Sequence, residues 1–289
     1  MMLSGFTFVR NAVQFDYPVV ESISSALPVV DELVVAVGDS EDGTLDLIES
    51  IGDPKVKIVK TSWDDSLREG GRVLAQQTDV ALSHTRGDFC LYLQADEVLH
   101  EDCFRAVLDA AGHYLNDSEV EGFLFSYLHF YGSYHTYYDG RPFYPREVRV
   151  VRNGIGVSSW RDAQGFRRKG RKLRVVEIDA QIYHYGWVRS PGKMVEKQRN
   201  LDRYWHDDGW LSRRYEEGFE IYSNLRGLKY FTGSHPKVMR ERIEKADWEF
   251  NPPEEKLKLG AMMRLRRWFE EKVSRRPIGE YRNYILLKR

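Results

Sequence analysis

Three short stretches concentrate side chains able to do chemistry. Leu91-Tyr92-Leu93-Gln94-Ala95-Asp96-Glu97 is an apolar run that ends in two adjacent carboxylates. Hard cations such as Mg2+ and Mn2+ prefer such oxygens and keep open positions for a diphosphate. The competing reading is a helix start, in which Asp96 or Glu97 caps a helix over 98–114. Val37-Gly38-Asp39-Ser40-Glu41-Asp42-Gly43-Thr44 follows a second apolar run. Its glycines permit a tight backbone, and Asp39 or Asp42 can accept hydrogen bonds from a ribose or a base. An ordinary Asp/Gly turn leading into a helix N-cap explains the same residues. Phe8-Val9-Arg10-Asn11 closes a first run, where Arg10 can meet a phosphate and Asn11 can cap the next helix.

Each stretch needs an element to hold it. Gly5–Val9, Glu32–Val37, Val56–Val59 and Phe89–Leu93 read as strands, and Glu32–Val37 is apolar throughout, as for a strand buried on both faces. Tyr17–Ala26, Leu45–Ile51, Val73–Ser83 and Glu101–Tyr114 have helical rhythm. Strands alternating with helices predict right-handed βαβ units and a parallel sheet. Ligands in such sheets sit at the carboxyl ends of the strands, so the loops after Val9, Val37 and Leu93 are the expected site.

The second half has a different texture. Gly122–Tyr144 is dense in aromatics, Glu147–Arg152 alternates like a half-buried strand, and Val175–Tyr185 reads as a strand carrying His184 near its end. The aromatics of 123–144 offer stacking faces for a sugar acceptor, or plain core. From about Pro191 the chain reads as mainly helical. Residues 256–289 hold eleven cations, among them Arg264, Arg267, Arg275 and Arg276, against Glu270, Glu271 and Glu280. That tail is a solvated amphipathic helix or a surface that docks on anionic membrane.

The order of the three stretches resembles the family 2 glycosyltransferases, which have the GT-A fold. Members read strand-x-R-N-E, strand-D-x-G-S-x-D-G-T, then G-D-x-x-x-x-x-D-A-D-E. The matching residues are Val9–Ala12, Val37–Thr44 and Gly87–Glu97, and the likeness spans about residues 3–190. The resemblance implies an α/β, GT-A-like (Rossmann-like), mostly parallel sheet flanked by helices, with a nucleotide-sugar half over 1–100 and an acceptor half over 101–190. Residues 191–289 form a mainly helical, basic C-terminal extension. It implies a nucleoside diphosphate sugar donor and an unknown glycan, lipid-linked or envelope acceptor. Thr7, Phe8, Arg10, Asp39, Asp42, Gln94 and Ala95 would hold the donor, and Asp96 and His184 a Mn2+ or Mg2+ ion. Asp162, after Arg149 and Arg152, would be the general base of an inverting transfer, with Arg189 and Lys193 neutralising the leaving diphosphate. Two departures matter. Gln94 replaces the first acid of the D-x-D triplet, so metal is weakened or dispensable, and Val37 or Gly38 stands where the second motif has its acid.

Composition narrows the rest. The 289 residues are 42% hydrophobic and 13% aromatic, enough for a sizeable core, and 43 basic against 44 acidic side chains leave a net charge of −1. That balance gives no global field for nucleic acid, and none is expected as partner. With two cysteines, no CxxC, no secretory leader and no long apolar run, the expectation is a soluble cytoplasmic protein, with the basic tail as the one feature for a peripheral contact with the inner membrane face. A nucleotidyltransferase needs a Gly-rich loop with a cationic anchor, which Gly5–Asn11 is not. The alternative kept open by Gln94 is a degenerate glycosyltransferase fold that binds a sugar nucleotide or a partner.

Overall fold

Apolar runs become strands here because both faces of each are covered. β1 (Leu3–Val9), β2 (Glu32–Gly38), β3 (Val56–Thr61) and β4 (Phe89–Tyr92) lie parallel in the order β3-β2-β1-β4. Leu33, Val35, Val37, Phe89 and Leu91 pack on one face with Val19 and Ile23 of α1 (Val19–Ala26), Ile48 of α2 (Thr44–Glu49) and Val107 of α4 (Phe104–His113). Val34, Ala36, Cys90 and Tyr92 pack on the other with Ala81 and Leu82 of α3 (Arg72–Ser83). The period-two alternation thus sorts the side chains between two helical layers. The computed structural model describes all residues except 65, 66, 68, 139–141, 217, 218 and 275–277. Arg275 and Arg276 of the basic tail therefore lie outside the described residues, as do residues 139–141 of the aromatic tract.

Beyond β4 the sheet becomes mixed. β8 (Arg146–Arg152) runs antiparallel to β4, β6 (Gly122–Tyr131) antiparallel to β8, and the long β11 (Arg171–Trp187) parallel to β6. β10 (Gly165–Arg168) and β9 (Val157–Trp160) continue the order, and β7 (Ser133–Tyr138) hangs from β6. The aromatic tract is therefore β6 and β7, and Phe123, Phe125, Phe130 and Tyr138 are buried core.

One element differs from the expected helix start after Gln94. Glu97–Leu99 is a short strand, β5, antiparallel to β11, with Glu97 opposite His184. The following 3-10 turn is capped by His100, not by Asp96 or Glu97. The ladder to β11 satisfies the backbone of 97–99, so the helix begins only at Phe104. Asn11 does not cap α1 either. It adopts a left-handed φ of 55°, which Asn tolerates, and Pro18 stands at the N-cap.

The region after β11 supplies α5 (Pro191–Asp202), α6 (Asp208–Arg214), α7 (Arg240–Glu244), α8 (Glu254–Leu257) and α9 (Ala261–Phe269). It also returns two short strands: β12 (Lys229–Tyr230) pairs with β7, and β13 (Tyr284–Leu286) lies beside β11. α9 leaves Met262, Leu265 and Trp268 exposed beside Arg264 and Arg266. Among the described residues no helix is long and apolar enough to cross a membrane.

The start of β2 is locked by charge. Buried Glu32 accepts from Ser4 Oγ at 2.8 Å, from the Arg86 backbone N–H at 2.7 Å and from Lys57. Burial pushes its carboxyl up, but these bonds outweigh burial and bring it down to about 2. A carboxyl lowered by folding contributes stability above its unfolded value of 4.5 and loses it as pH falls toward about 2. Chemical denaturation from pH 7 to pH 3 is expected to show Glu32→Gln less stable at pH 7, with the gap to wild type narrowing below pH 4.5.

Candidate functional site

The carboxyl ends of β1 and β4 open into a cleft of about 320 Å3. Its floor is Phe8 and Val9 at the end of β1, Arg10 just after it, and Gln94, Ala95 and Asp96 after β4. One wall is Asp162, from the β9–β10 turn, with His184 and Gly186 of β11. Lys197 and Asp202 of α5, Tyr204, Trp205 and Trp63 close the other sides. Most of the residues expected from sequence thus meet in one cavity of small-ligand size.

Three of the expected donor-binding residues do not line it. Asp42 is spent on architecture: its carboxylate accepts from the Gln14 N–H at 2.7 Å and from the Thr44 hydroxyl at 2.5 Å, which ties the β1–α1 loop to the start of α2. Thr7 borders a separate small interior cavity with Ser22 and Leu93. Asp39 stands at the rim, where its backbone carbonyl accepts from Arg10 Nε at 3.1 Å and its carboxylate lies 3.4 Å from the same nitrogen. Arg10 also lies over the Trp63 ring, 5.4 Å from its centroid.

Asp96 is the electrostatic centre. Its Oδ2 accepts from Lys197 Nζ at 2.9 Å, and its Oδ1 lies 3.7 Å from His184 Nε2. Burial raises the carboxyl, but Lys197 and Arg189 hold it below the usual carboxylate range. His184 Nδ1 is 3.0 Å from His129 Nδ1, and His129 Nε2 is 2.7 Å from the Tyr144 carbonyl. That carbonyl can only accept, so His129 carries its proton on Nε2, and a neutral pair then requires His184 to donate from Nδ1. Burial lowers the pKa of both rings, which favours the neutral pair. The Nε2 lone pair of His184 is left facing Asp96 and the cleft.

Asp162 sits between two left-handed residues, Arg161 (φ 57°) and Ala163 (φ 62°), which turn β9 into β10 and bring the carboxylate to the cleft. Burial raises its pKa, opposed by backbone hydrogen bonds and Arg161. Gln94 Nε2 donates to the Ala163 carbonyl at 3.4 Å, so its amide supports the Asp162 turn and not Asp96.

The cations expected at Arg189 and Lys193 lie elsewhere. Arg189 is fully buried and donates to the carbonyls of Phe15 and Gly186, each at 2.7 Å, while Lys193 Nζ reaches the Gln14 carbonyl at 3.0 Å. Lys197, one helical turn beyond Lys193, lines the cleft instead, as Arg10 does. Sequence reasoning also missed Trp63, Tyr204 and Trp205. The i, i+4 spacing of Lys193 and Lys197 and the adjacent Tyr204-Trp205 after α5 were the signals available.

The expected metal pair, Asp96 and His184, is present, but its carboxylate is already neutralised by Lys197. Gln94 brings no charge, and among the described residues no group of three or more His, Cys, Asp or Glu side chains converges. This donor set does not fit a resident divalent ion, and no step below is routed through one.

The family description "Glycosyl transferase family 2" matches residues 11–172, more than half of the chain, and the chain belongs to that family. The α/β, GT-A-like fold expected from the three stretches holds accordingly. No curated protein matches the chain. Among solved structures, S. aureus TarS is 18% identical, with a TM-score of 0.39 over 70% of this chain and 39% of that one. S. aureus TarS 1–349 in complex with UDP-GlcNAc is 16% identical, with a TM-score of 0.41 over 71% and 66%. Glucosyl-3-phosphoglycerate synthase from Mycobacterium tuberculosis, in complex with Mn2+, UDP and phosphoglyceric acid, is 20% identical, with a TM-score of 0.30 over 45% and 43%. The chain spans about two fifths of the length of the TarS chain matched first.

Gly38 shows how tightly the rim is built. A Cβ there would stand 2.4 Å from Trp63 Nε1 and 3.2 Å from Arg10 Cβ. Gly38→Ala is therefore expected to displace the Trp63 indole, read as a shift in tryptophan fluorescence emission with the fold retained by circular dichroism.

Proposed function

We propose that the cleft binds a nucleoside diphosphate sugar and transfers the sugar to a hydroxyl acceptor with inversion, Asp162 acting as general base. The observation that carries this is the convergence, in one cavity of a family 2 member, of the loops after β1 and β4, the Asp96–Lys197 pair and the raised carboxyl of Asp162. The base of the donor stacks near Phe8 and Trp63. The Trp63 indole N–H is buried against Gly38, and the residue lines the cleft, which leaves its ring as the stacking face. The diphosphate lies toward Asp96 and Lys197, and Arg10 closes the ribose end.

In the transfer step the acceptor oxygen attacks the anomeric carbon from the face opposite the diphosphate. The new C–O bond forms as the bond to the β-phosphate oxygen breaks. The acceptor's proton passes to the Asp162 carboxylate, and the nucleoside diphosphate leaves as an anion. Burial serves Asp162 here, since a raised pKa makes its carboxylate a stronger base. The glycan, lipid-linked or envelope class of acceptor enters from the side of Trp187 and Trp205, where aromatic faces border the cleft. The degenerate-fold reading rests on Gln94 and predicts nucleotide binding with no turnover of any donor.

Asp162→Asn is expected to lower kcat by about 10²–10⁴-fold with little change in donor KM. In wild type, kcat/KM should fall on acidification through a pKa above the 3.8 of an ordinary aspartate, because protonation removes the base. Steady-state kinetics of both proteins across pH checks this, and an Asp162→Asn enzyme with normal kcat removes Asp162 from the mechanism.

A further inference from the structure

The strongest disagreement between expectation and structure lies at Asp96. The carboxylate expected to hold a divalent ion holds an ammonium. Lys197 Nζ donates to Asp96 Oδ2 at 2.9 Å and to the Gly186 carbonyl at 2.8 Å, and its side chain is buried. An ammonium has three N–H donors, so one remains beyond these two, and Lys197 lines the cleft. The Tyr17 ring lies 4.9 Å from Nζ and adds a face that favours a cation. The lysine projects from α5, whose start is fixed by Pro191 at its first turn.

The charges around it favour this arrangement over a metal. Gln94 removes one of the two negative charges that would draw a free divalent ion, and its amide is turned to the Ala163 carbonyl. The other negative charge, Asp96, is matched by Lys197, so positions 94 and 96 leave no unpaired carboxylate with which to recruit a divalent cation. An ion bound between Asp96 Oδ1 and His184 Nε2 would share one carboxylate with the ammonium, two like charges at close range. A diphosphate, by contrast, meets a fixed cation already desolvated and already aimed. Burial lowers the lysine's pKa, with Arg189 adding to it and Asp96 opposing, to about 8, so the group stays mostly charged at pH 7.

We propose that Lys197 performs at this site the task a divalent cation would perform: its ammonium, held by Asp96, contacts the donor's diphosphate, and binding and transfer need no metal. The inference rests on the reading of this cleft as the donor site. In the transfer step Lys197 keeps its protons. Negative charge that builds on the β-phosphate as the anomeric C–O bond breaks is met by the remaining N–H, a preorganised donor that costs no reorganisation at that moment. Asp96 is then a positioning residue for Lys197.

Isothermal titration of the full chain with UDP, GDP, ADP and CDP, in EDTA and then in Mn2+, tests this. The expected result is one diphosphate that binds in EDTA with an affinity within about threefold of that in Mn2+. Lys197→Met should lose about tenfold or more in EDTA. Because Lys197→Met leaves a buried carboxylate unpaired, circular dichroism melting accompanies it, and a second variant, Gln94→Asp with Lys197→Met, restores two acids and no lysine. That double variant should bind the diphosphate only in Mn2+. Wild-type binding that appears only in Mn2+ overturns the role of Lys197 and leaves the donor cleft standing. Lys197→Met that is folded and binds as wild type in EDTA overturns it too. No binding of any of the four, with or without Mn2+, overturns the donor cleft itself and this inference with it.

Discussion

The site depends on one buried ion pair, Arg149–Glu97. Both side chains are fully buried, and two parallel bonds, 2.8 Å from Nε and 2.7 Å from Nη2, join the guanidinium to the carboxylate. Burying two charges is costly, and the geometry offsets the cost only because the spare valences are filled. The Tyr127 hydroxyl and the Gln94 backbone N–H also donate to Glu97, at 2.8 and 3.1 Å, and Arg149 Nη1 donates to the carbonyls of Val148 and Gln164. The pair therefore joins three things the chemistry needs. It fixes the Gln94–Glu97 turn that presents Asp96, it holds β8 beside β4, and it anchors the turn that carries Asp162. Removing either partner of such a pair typically costs about 3–5 kcal/mol, and here it would release both carboxylates of the proposed mechanism together.

Around that anchor, the fold separates structural charge from working charge. Glu32, Glu121 and Asp42 are consumed by nearby donors and hold loops to the sheet. Asp96, Lys197 and Asp162 face a cavity instead. Buried charge that borders a cleft is expensive to keep, and a diphosphate ligand is a chemical reason for keeping it. The aromatic wall of Phe8, Trp63 and Tyr204 complements it by excluding water where a base would stack, with Phe8 and Trp63 ring centroids 5.9 Å apart.

The first hundred residues were legible because their physics is local. Continuous apolar runs such as Glu32–Val37 become strands wherever helices cover both faces, and the loops after Val9 and Leu93 fall at the carboxyl edge by topology alone. The site was legible where it lies in those loops, at Phe8, Arg10, Gln94, Ala95 and Asp96, and in part beyond them, at Asp162 and His184. It was illegible where tertiary contacts decide. Asp42 reads as a ligand residue in a Gly-rich loop, yet the neighbouring Gln14 and Thr44 claim its oxygens. Lys197 reads as one more cation on a polar helix, because nothing local shows that α5 folds back over Asp96. Glu97–Leu99 reads as a helix start, because its ladder partners, Ile182–His184, lie far along the chain. Loops reached over long sequence separations carry specificity in such folds, and they are where a single sequence says least.

The central claim is that a nucleoside diphosphate sugar lies across this cleft, with its diphosphate at Lys197 and its anomeric carbon toward Asp162. A crystal structure of the full chain with a non-hydrolysable analogue of a nucleoside diphosphate sugar tests it most directly. The account predicts the base against Phe8 and Trp63, a β-phosphate oxygen within hydrogen-bond distance of Lys197 Nζ, and the anomeric carbon on the Asp162 side of the cleft. A nucleotide bound outside this cavity, or in it with the diphosphate turned away from Asp96 and Lys197, would contradict the account.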